Sequence, residues 1–307
     1  MRDNELKAPI FNIVHGSMVD GWGVRTTIFL KGCPLRCLWC CNPEGQKTCY
    51  ELKYTAEDCS KECTLCIKSC TKGAISFPDV NMAPVIDRNL CDNCFACVDQ
   101  CPTGALSVFG KSYTVDEMFQ EIAKDQNYFG FDGGVTIGGG EATLFGEYTL
   151  ALIKKCQDAY IHTALDTCGY ILTEEGLECL ERADLTLFDI KGMDEALHIE
   201  ATGVSNKIIH ENLIRRNKTG KDIIIRLPII PGYTDSTENI LRTAEFLAPL
   251  EAVKRVDVLM MHRYSELKYR QLGWKIPEVF DKSLADEKET EIMDIMKRYG
   301  LNAQLGG

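Results

Sequence analysis

The sequence of 307 residues contains no run near the roughly 20 apolar residues that a membrane span requires. It also lacks a positively charged, apolar leader: it begins MRDNELKAPI, from which we expect a cytoplasmic protein with reduced thiols. Excess positive charge is missing as well, with 34 Lys and Arg against 45 Asp and Glu and a formal net charge of -11. Binding along a phosphate backbone needs a basic footprint, so that class of function is excluded and the acidity reads as a solvated surface. No low-complexity linker interrupts the chain. Its length is enough to bury a full core, either in one large α/β barrel or in a barrel with a small inserted domain.

Cysteine, by contrast, is plentiful. There are 16, and eight lie between Cys59 and Cys101 in two similar groups. The halves of that stretch end CTKGAISF and CPTGALSV, an internal repeat of about thirty residues with too few apolar residues in either copy for a core of its own. We therefore divide the chain into 1–48, an insert at 49–110, and 111–307.

Outside the insert, apolar runs rich in β-branched residues alternate with helix-like segments. The pattern predicts strands at Thr26 to Leu30, Gly134 to Ile137, His162 to Asp166, Leu185 to Ile190, Ile223 to Leu227 and Val256 to Met260. Helices are predicted at Val115 to Lys124, behind the cap Thr114, and at Thr173 to Arg182. Such alternation implies a covered parallel sheet, and about six units make an open, partial β/α barrel. Function is then sought at the C-terminal ends of the strands.

The first strand runs into KGCPLRCLWCC, which places Cys33, Cys37 and Cys40 three and then two residues apart. Three thiolates can hold three irons of a cubane cluster and leave the fourth open to an outside ligand. The alternative is a zinc knot, although zinc sites prefer four closed ligands in paired CxxC spacings. Cys41 reads as a neighbour of that site. Cys91, Cys94, Cys97 and Cys101, followed by Pro102, reproduce the bacterial ferredoxin run in which the fourth cysteine serves the other cluster. Cys59, Cys63, Cys66 and Cys70 form the second group. Crossing gives one cluster on Cys59, Cys63, Cys66 and Cys101 and another on Cys91, Cys94, Cys97 and Cys70; two structural zincs are the alternative. An electron relay or store is the function this suggests, and a purely structural role stays open.

Other motifs fall on strand ends: GGGE at Gly138 to Glu141, LDTCG with Asp166 and Thr167, and LFDIK with Asp189 and Lys191. Glycine backbone can approach a ligand closely, and a following carboxylate can accept from an ammonium group, although an ordinary tight turn gives the same pattern. Two converging carboxylates repel one another unless a cation intervenes, and either aspartate could simply cap a helix. Arg226, at another strand end, suits anion recognition. His262 alone is most simply a structural histidine. Cys49, Cys156, Cys168 and Cys179 read as packing residues.

The CxxxCxxC loop after a strand resembles the signature of radical S-adenosylmethionine enzymes. Together with GGGE, DIK, KGMDEALHIEATGVSN, IRLPIIPGYTD and MMHRYSELKYRQLG, nearly the whole chain resembles the glycyl radical enzyme activating enzymes, in the larger form with a ferredoxin-like insert. The resemblance implies reductive cleavage of S-adenosylmethionine to methionine and a 5'-deoxyadenosyl radical, which abstracts hydrogen from a backbone glycine of a partner glycyl radical enzyme. It implies three 4Fe-4S clusters, a flavodoxin or ferredoxin as electron donor, and a catalytic set of Cys33, Cys37, Cys40 and Lys191. S-adenosylmethionine would be held by Trp39, Cys40, Cys41, Gly139, Gly140, Glu141, Asp166, Thr167, Asp189, Ile190, Lys191, Arg226 and His262. A monovalent cation would lie on Asp166, Thr167 and Asp189. The chain departs from the family in having GGGEA for SGGEP, Cys41 after the third cysteine, and Trp22 where DGPG has proline. The rival readings are a radical enzyme modifying a peptide or small molecule, and a plain electron-transfer protein.

Overall fold

The computed structural model describes residues 6–60, 62–78, 83–285 and 287–306. In chain order the strands are β1 (Lys7–Ser17), β2 (Arg25–Leu30), β3 (Glu51–Tyr54), β4 (Ile75–Ser76), β5 (Val85–Ile86), β6 (Leu106–Phe109), β7 (Lys111–Thr114), β8 (Gly134–Gly139), β9 (His162–Thr167), β10 (Leu185–Asp189), β11 (Ile223–Ile229), β12 (Val253–Met260) and β13 (Ala303–Leu305). The helices are α1 (Leu65–Ser69), α2 (Ala96–Asp99), α3 (Val115–Ala123), α4 (Gly146–Asp158), α5 (Glu174–Arg182), α6 (Glu195–Thr202), α7 (Lys207–Asn217), α8 (Thr237–Leu247), α9 (Glu266–Leu272) and α10 (Lys288–Arg298). No helix among the described residues is long and apolar enough to cross a membrane.

One mixed sheet dominates, in the order β13-β12-β11-β10-β9-β8-β2-β1-β7. Pairing is parallel from β2 to β13, and β1 runs antiparallel to both β2 and β7. The edges β7 and β13 lie at opposite ends of that order, so the sheet is open. Each predicted strand forms; β1, β7 and β13 were not foreseen from the sequence. Start signals are equally local: Thr114 and Glu117 close a capping box on α3, and the Thr173 hydroxyl accepts from Gly176 N at the start of α5.

Because side chains alternate along a strand, each parallel strand has two unlike faces. On one, Ile28, Val135, Ile137, Leu165, Phe188, Ile225 and Val258 meet the helices in the main core, where burying one such side chain contributes about 1.5–3 kcal/mol. The other face carries a small apolar patch of Ala164, Leu185, Leu187 and Ile224, against which Trp22 packs, and then polar groups towards the strand ends. Trp22 is further covered by the Arg255 guanidinium, 4.5 Å from its ring centroid. Arg255 in turn forks onto Asp257, at 2.6 and 2.9 Å.

The cysteine-rich stretch opens and closes on one antiparallel ladder, β3 against β6, from Glu51 to Phe109. Its core is shared between the two repeat halves and includes Leu52, Ile75 and Leu106 together with the side chains of Cys66 and Cys97. Arg88 ties it to the rest of the molecule, donating to Leu52 O at 2.6 Å and to Gln271 O, in α9, at 2.8 Å. Gln271 reciprocates with a hydrogen bond from Nε2 to Thr55 Oγ1 at 3.0 Å.

Candidate functional site

The loop after β2 carries Cys33, Cys37 and Cys40, and its backbone is pinned on both sides. Cys33 N donates to Gln46 O at 3.1 Å, Arg36 N to Thr202 O at 2.7 Å and Leu38 N to Ala201 O at 3.0 Å. From the C-terminal part of the chain, Tyr269 Oη donates to Cys40 O at 3.1 Å, and Lys268 Nζ reaches Asn42 Oδ1 at 2.6 Å and Glu44 Oε1 at 2.8 Å. Trp39 anchors the same loop: its indole is buried with Ala201, Ile230, Tyr269, Val279 and Phe280. Cys41 is exposed beside it.

The glycine run of β8 supports this loop from below. Gly140 N donates to Leu30 O and Glu141 N to Gly32 O, at 2.8 and 2.7 Å. A Cβ on Gly139, where φ is +124°, would lie 2.2 Å from Leu30 N, and one on Gly140 would lie 2.1 Å from Gly32 O. Only glycine permits that approach of backbone to backbone. At Gly138 a Cβ would fall 2.8 Å from the Asp166 Cβ, so a side chain here would require the aspartate to shift.

Glu141 is fully buried. Its Oε1 accepts from Thr143 N and Oγ1, and its Oε2 from Thr167 Oγ1 and Cys168 N, at 2.7–3.1 Å. The carboxylate therefore ties the end of β8 to that of β9, and an ammonium group would compete with four protein donors. Thr167 faces Glu141, on the opposite side of β9 from Asp166. Ile190 points into the main core and offers only backbone, its N–H donating to Arg226 O at 2.9 Å.

The polar face brings together Asp166, Asp189, Lys191 and Arg226, with Asp20 added from the loop between β1 and β2. Arg226 bridges two carboxylates, Asp166 Oδ2 at 2.9 Å and Asp20 Oδ1 at 3.2 Å. Ser17 and Thr27 donate to the other Asp20 oxygen at 2.7 and 2.8 Å. Lys191 pairs with Asp189. Burial pushes the Asp166 carboxyl up to about 6 against the pull of Arg226, and Asp189 and Asp20 add to the rise. Burial works against the Lys191 ammonium too, yet Asp189, Cys37 and Cys168 hold its pKa above the ordinary value.

The field of Lys191 reaches the cysteine loop. Cys37 is raised above the ordinary thiol range, by burial first, with Lys191 opposing. Cys40 is pushed up to about 12, again chiefly by burial. Cys33 is lowered, first by a hydrogen bond from the Cys168 thiol, then with help from Lys191 and against burial. Cys168 is thus a neighbour of the loop rather than inert packing. Cys156 and Cys179 are buried, as read from the sequence; Cys49 is exposed, against expectation. His262 is an exposed rim residue stacked on Tyr264, with ring centroids 4.6 Å apart.

Among the described residues no three His, Cys, Asp or Glu side chains gather tightly enough for a single metal ion. In the insert the thiols instead surround two small, partly open cavities. One is lined by Cys59, Cys63, Cys66 and Cys101, the other by Cys70, Cys91, Cys94 and Cys97. The repeat is visible in the hydrogen bonds: Ala74 N donates to Cys70 Sγ at 3.3 Å and Leu106 N to Cys101 Sγ at 3.4 Å.

Comparison with known proteins gives the following matches. The Radical SAM superfamily matches residues 88–244, and a 4Fe-4S single cluster domain matches residues 19–77. The chain is 37% identical over 309 residues to the 4-hydroxyphenylacetate decarboxylase activating enzyme of Clostridioides difficile (strain CD196), covering 98% of this chain and 97% of that protein. It is 38% identical over 281 residues to the isethionate sulfite-lyase activating enzyme of Nitratidesulfovibrio vulgaris, covering 90% and 91%. Streptococcus suis SuiB bound to precursor peptide SuiA shares the fold, with a TM-score of 0.51, 17% identity, and coverage of 64% of this chain and 43% of that one.

Proposed function

The chain belongs to the glycyl radical enzyme activating enzymes of the radical S-adenosylmethionine superfamily, and from that premise we propose how its residues divide the work. Cys33, Cys37 and Cys40 would hold an iron-sulfur cluster, which would supply the electron; the protein reductively cleaves S-adenosylmethionine to methionine and a 5'-deoxyadenosyl radical, which takes a hydrogen atom from a backbone glycine of a partner glycyl radical enzyme. The observation that carries the assignment of residues is the convergence of Lys191–Asp189 and Asp166–Arg226–Asp20 beside the cysteine loop.

Lys191 and Arg226 are the cations that face the methionine carboxylate, and in forked geometry Arg226 is the better anchor. They also take up the charge that a monovalent cation on Asp166 and Asp189 would otherwise offset. Glu141, Gly139 and Gly140 hold the loop and the strand ends in register, and Trp39 and Tyr269 fix it from the other side. His262 stands at the rim, on the side left for the nucleoside. Positioning of this kind is the protein's main contribution to such a reaction. Electrons come from a flavodoxin or ferredoxin. The test is to mix the reconstituted protein, S-adenosylmethionine and dithionite with the polypeptide encoded in the adjacent reading frame. A glycyl doublet in electron paramagnetic resonance is expected, and its absence rejects the assignment.

The insert is read as a ferredoxin-like domain holding two further 4Fe-4S clusters in the crossed arrangement, for a total of three. The two cavities, each lined by thiols from both repeat halves, support this reading. Cys59→Ser and Cys101→Ser are expected each to lower bound iron by about four atoms per chain, and the double variant no further. If instead Cys101→Ser and Cys97→Ser behave as one unit, the crossing is wrong.

A further inference from the structure

We propose that the two halves of the cysteine-rich insert are electronically unlike, because Tyr54 and Thr103 offer hydroxyl protons to the sulfurs of one thiol quartet and not to the other; this rests on the reading of the insert as a carrier of two clusters.

The halves match in backbone. CTKGAIS from Cys70 aligns with CPTGALS from Cys101, and the amide five or fewer residues on donates to each of those sulfurs, Ala74 N to Cys70 Sγ at 3.3 Å and Leu106 N to Cys101 Sγ at 3.4 Å. Their side chains differ. Strand β3 runs past both cavities: Leu52 lines the one with Cys70, Cys91, Cys94 and Cys97, whereas Tyr54, two residues on and so on the same face, lines the one with Cys59, Cys63, Cys66 and Cys101. In the aligned repeats Thr103 stands where the other half has Lys72, whose ammonium turns to Asp92 at 3.5 Å.

Tyr54 Oη is buried and has no hydrogen-bond partner. Burial raises the Cys59 thiol, and the phenol opposes that rise, so the two groups face one another. A cluster thiolate at Cys59 is the acceptor that this hydroxyl lacks, and a buried donor left without one is costly. The Thr103 hydroxyl accepts from Ala105 N at 3.3 Å and lies 3.7 Å from Cys101 Sγ, which leaves its own proton for that sulfur. Among the described residues that line the other cavity none carries a hydroxyl. Arg88 acts on that side as a charge near Cys91 and Cys97, its terminal nitrogens being engaged by Leu52 O and Gln271 O.

Hydrogen bonds to cluster sulfurs help to set the reduction potential. An added electron makes those sulfurs more negative, so an O–H donor binds them more strongly after reduction and raises the potential. Tyr54 and Thr103 are positioning residues that favour the state in which the electron stays.

The test uses the full chain carrying Cys37→Ala, reconstituted so that the insert alone titrates, with dithionite as reductant and electron paramagnetic resonance as the readout. Two one-electron steps from about eight irons are expected. Tyr54→Phe should lower the ratio of reduced to oxidised protein at a fixed potential about tenfold in one step, a shift of about 59 mV. The other step, the iron content and the melting curve should not change. Thr103→Val should lower the same step about threefold, less because that hydroxyl is exposed to water. With Cys59→Ser, which breaks that quartet, Tyr54→Phe should shift nothing. Should Tyr54→Phe lose iron, Thr103→Val decides alone. Wild-type potentials in both variants with iron retained overturn the assignment of the two hydroxyls. An equal shift in both steps, or a shift that survives Cys59→Ser, overturns it too. A Cys37→Ala chain that holds far fewer than about eight irons rejects the two-cluster insert itself, and the tuning with it.

Discussion

Cys37→Ala is expected to abolish cleavage of S-adenosylmethionine under dithionite, a loss well beyond the roughly 100-fold that removing an outer-shell partner of a metal ligand costs. The reason lies in how the loop is held. Its backbone on either side of Cys37 hydrogen-bonds to Thr202 and Ala201, and Trp39 is buried in the cluster against which Cys37 packs, so alanine removes one side chain from that contact and leaves the backbone hydrogen bonds of the loop in place. The thiol itself is buried and disfavours ionisation, with Lys191 as the nearby cation that offsets the penalty. A cluster needs the thiolate, and no other cysteine of the loop can take its place, because Cys41 sits exposed beyond the trio. The measurements are iron content, 5'-deoxyadenosine formation and the far-ultraviolet melting curve. Cleavage at the wild-type rate with an unchanged melt would sink the assignment of the loop.

Arg226→Leu is expected to destabilise the protein by about 3–5 kcal/mol, the usual cost of leaving buried charges without their partner. Arg226 is the bridge between Asp20 and Asp166, both largely shielded from water. The pH dependence has a definite sign. The Asp166 carboxyl titrates near 6, above its ordinary 3.8, so it favours folding when protonated and that contribution is lost as pH rises through about 6. Without the guanidinium the carboxyl moves further in the same direction. The deficit in urea denaturation should therefore be smallest at acid pH and larger at pH 8. Asp166→Asn in the Arg226→Leu background should recover part of it. A variant as stable as wild type at pH 8 would show that the bridge carries no weight.

Much of this was legible in the sequence. Near-continuous apolar runs gave the parallel strands, and their polar ends gave Asp166, Asp189 and Lys191, because a period of two places every second residue on one face; Arg226, read as a strand end, lies midway along β11, which continues through Leu227 to Ile229. Thiol spacing gave the loop trio and the two quartets. What remained hidden depended on contacts between segments distant in sequence. Asp20 lies in a loop whose motif is visible, yet nothing local says that its partner is Arg226, 206 residues away. Glu141 was read as reaching for a ligand, but its acceptors are filled by Thr143, Thr167 and Cys168. Thr167 follows Asp166 in sequence and for that very reason points to the other side. The strands β1 and β7 escaped because an antiparallel edge pair, exposed on one face, has no continuous apolar run to mark it.

The Arg88 clamp, with one hand on β3 and the other on the Gln271 carbonyl of α9, makes the cysteine-rich segment a structural tie as well as a carrier of thiols. Excising that segment as a removable cassette would deprive α9 of its brace, and Tyr269 and Lys268, which steady the Cys40–Asn42 backbone from that helix, would lose their footing. Damage begun by oxygen at the far thiols thus has a mechanical route to the reaction loop, independent of any electron passing between them.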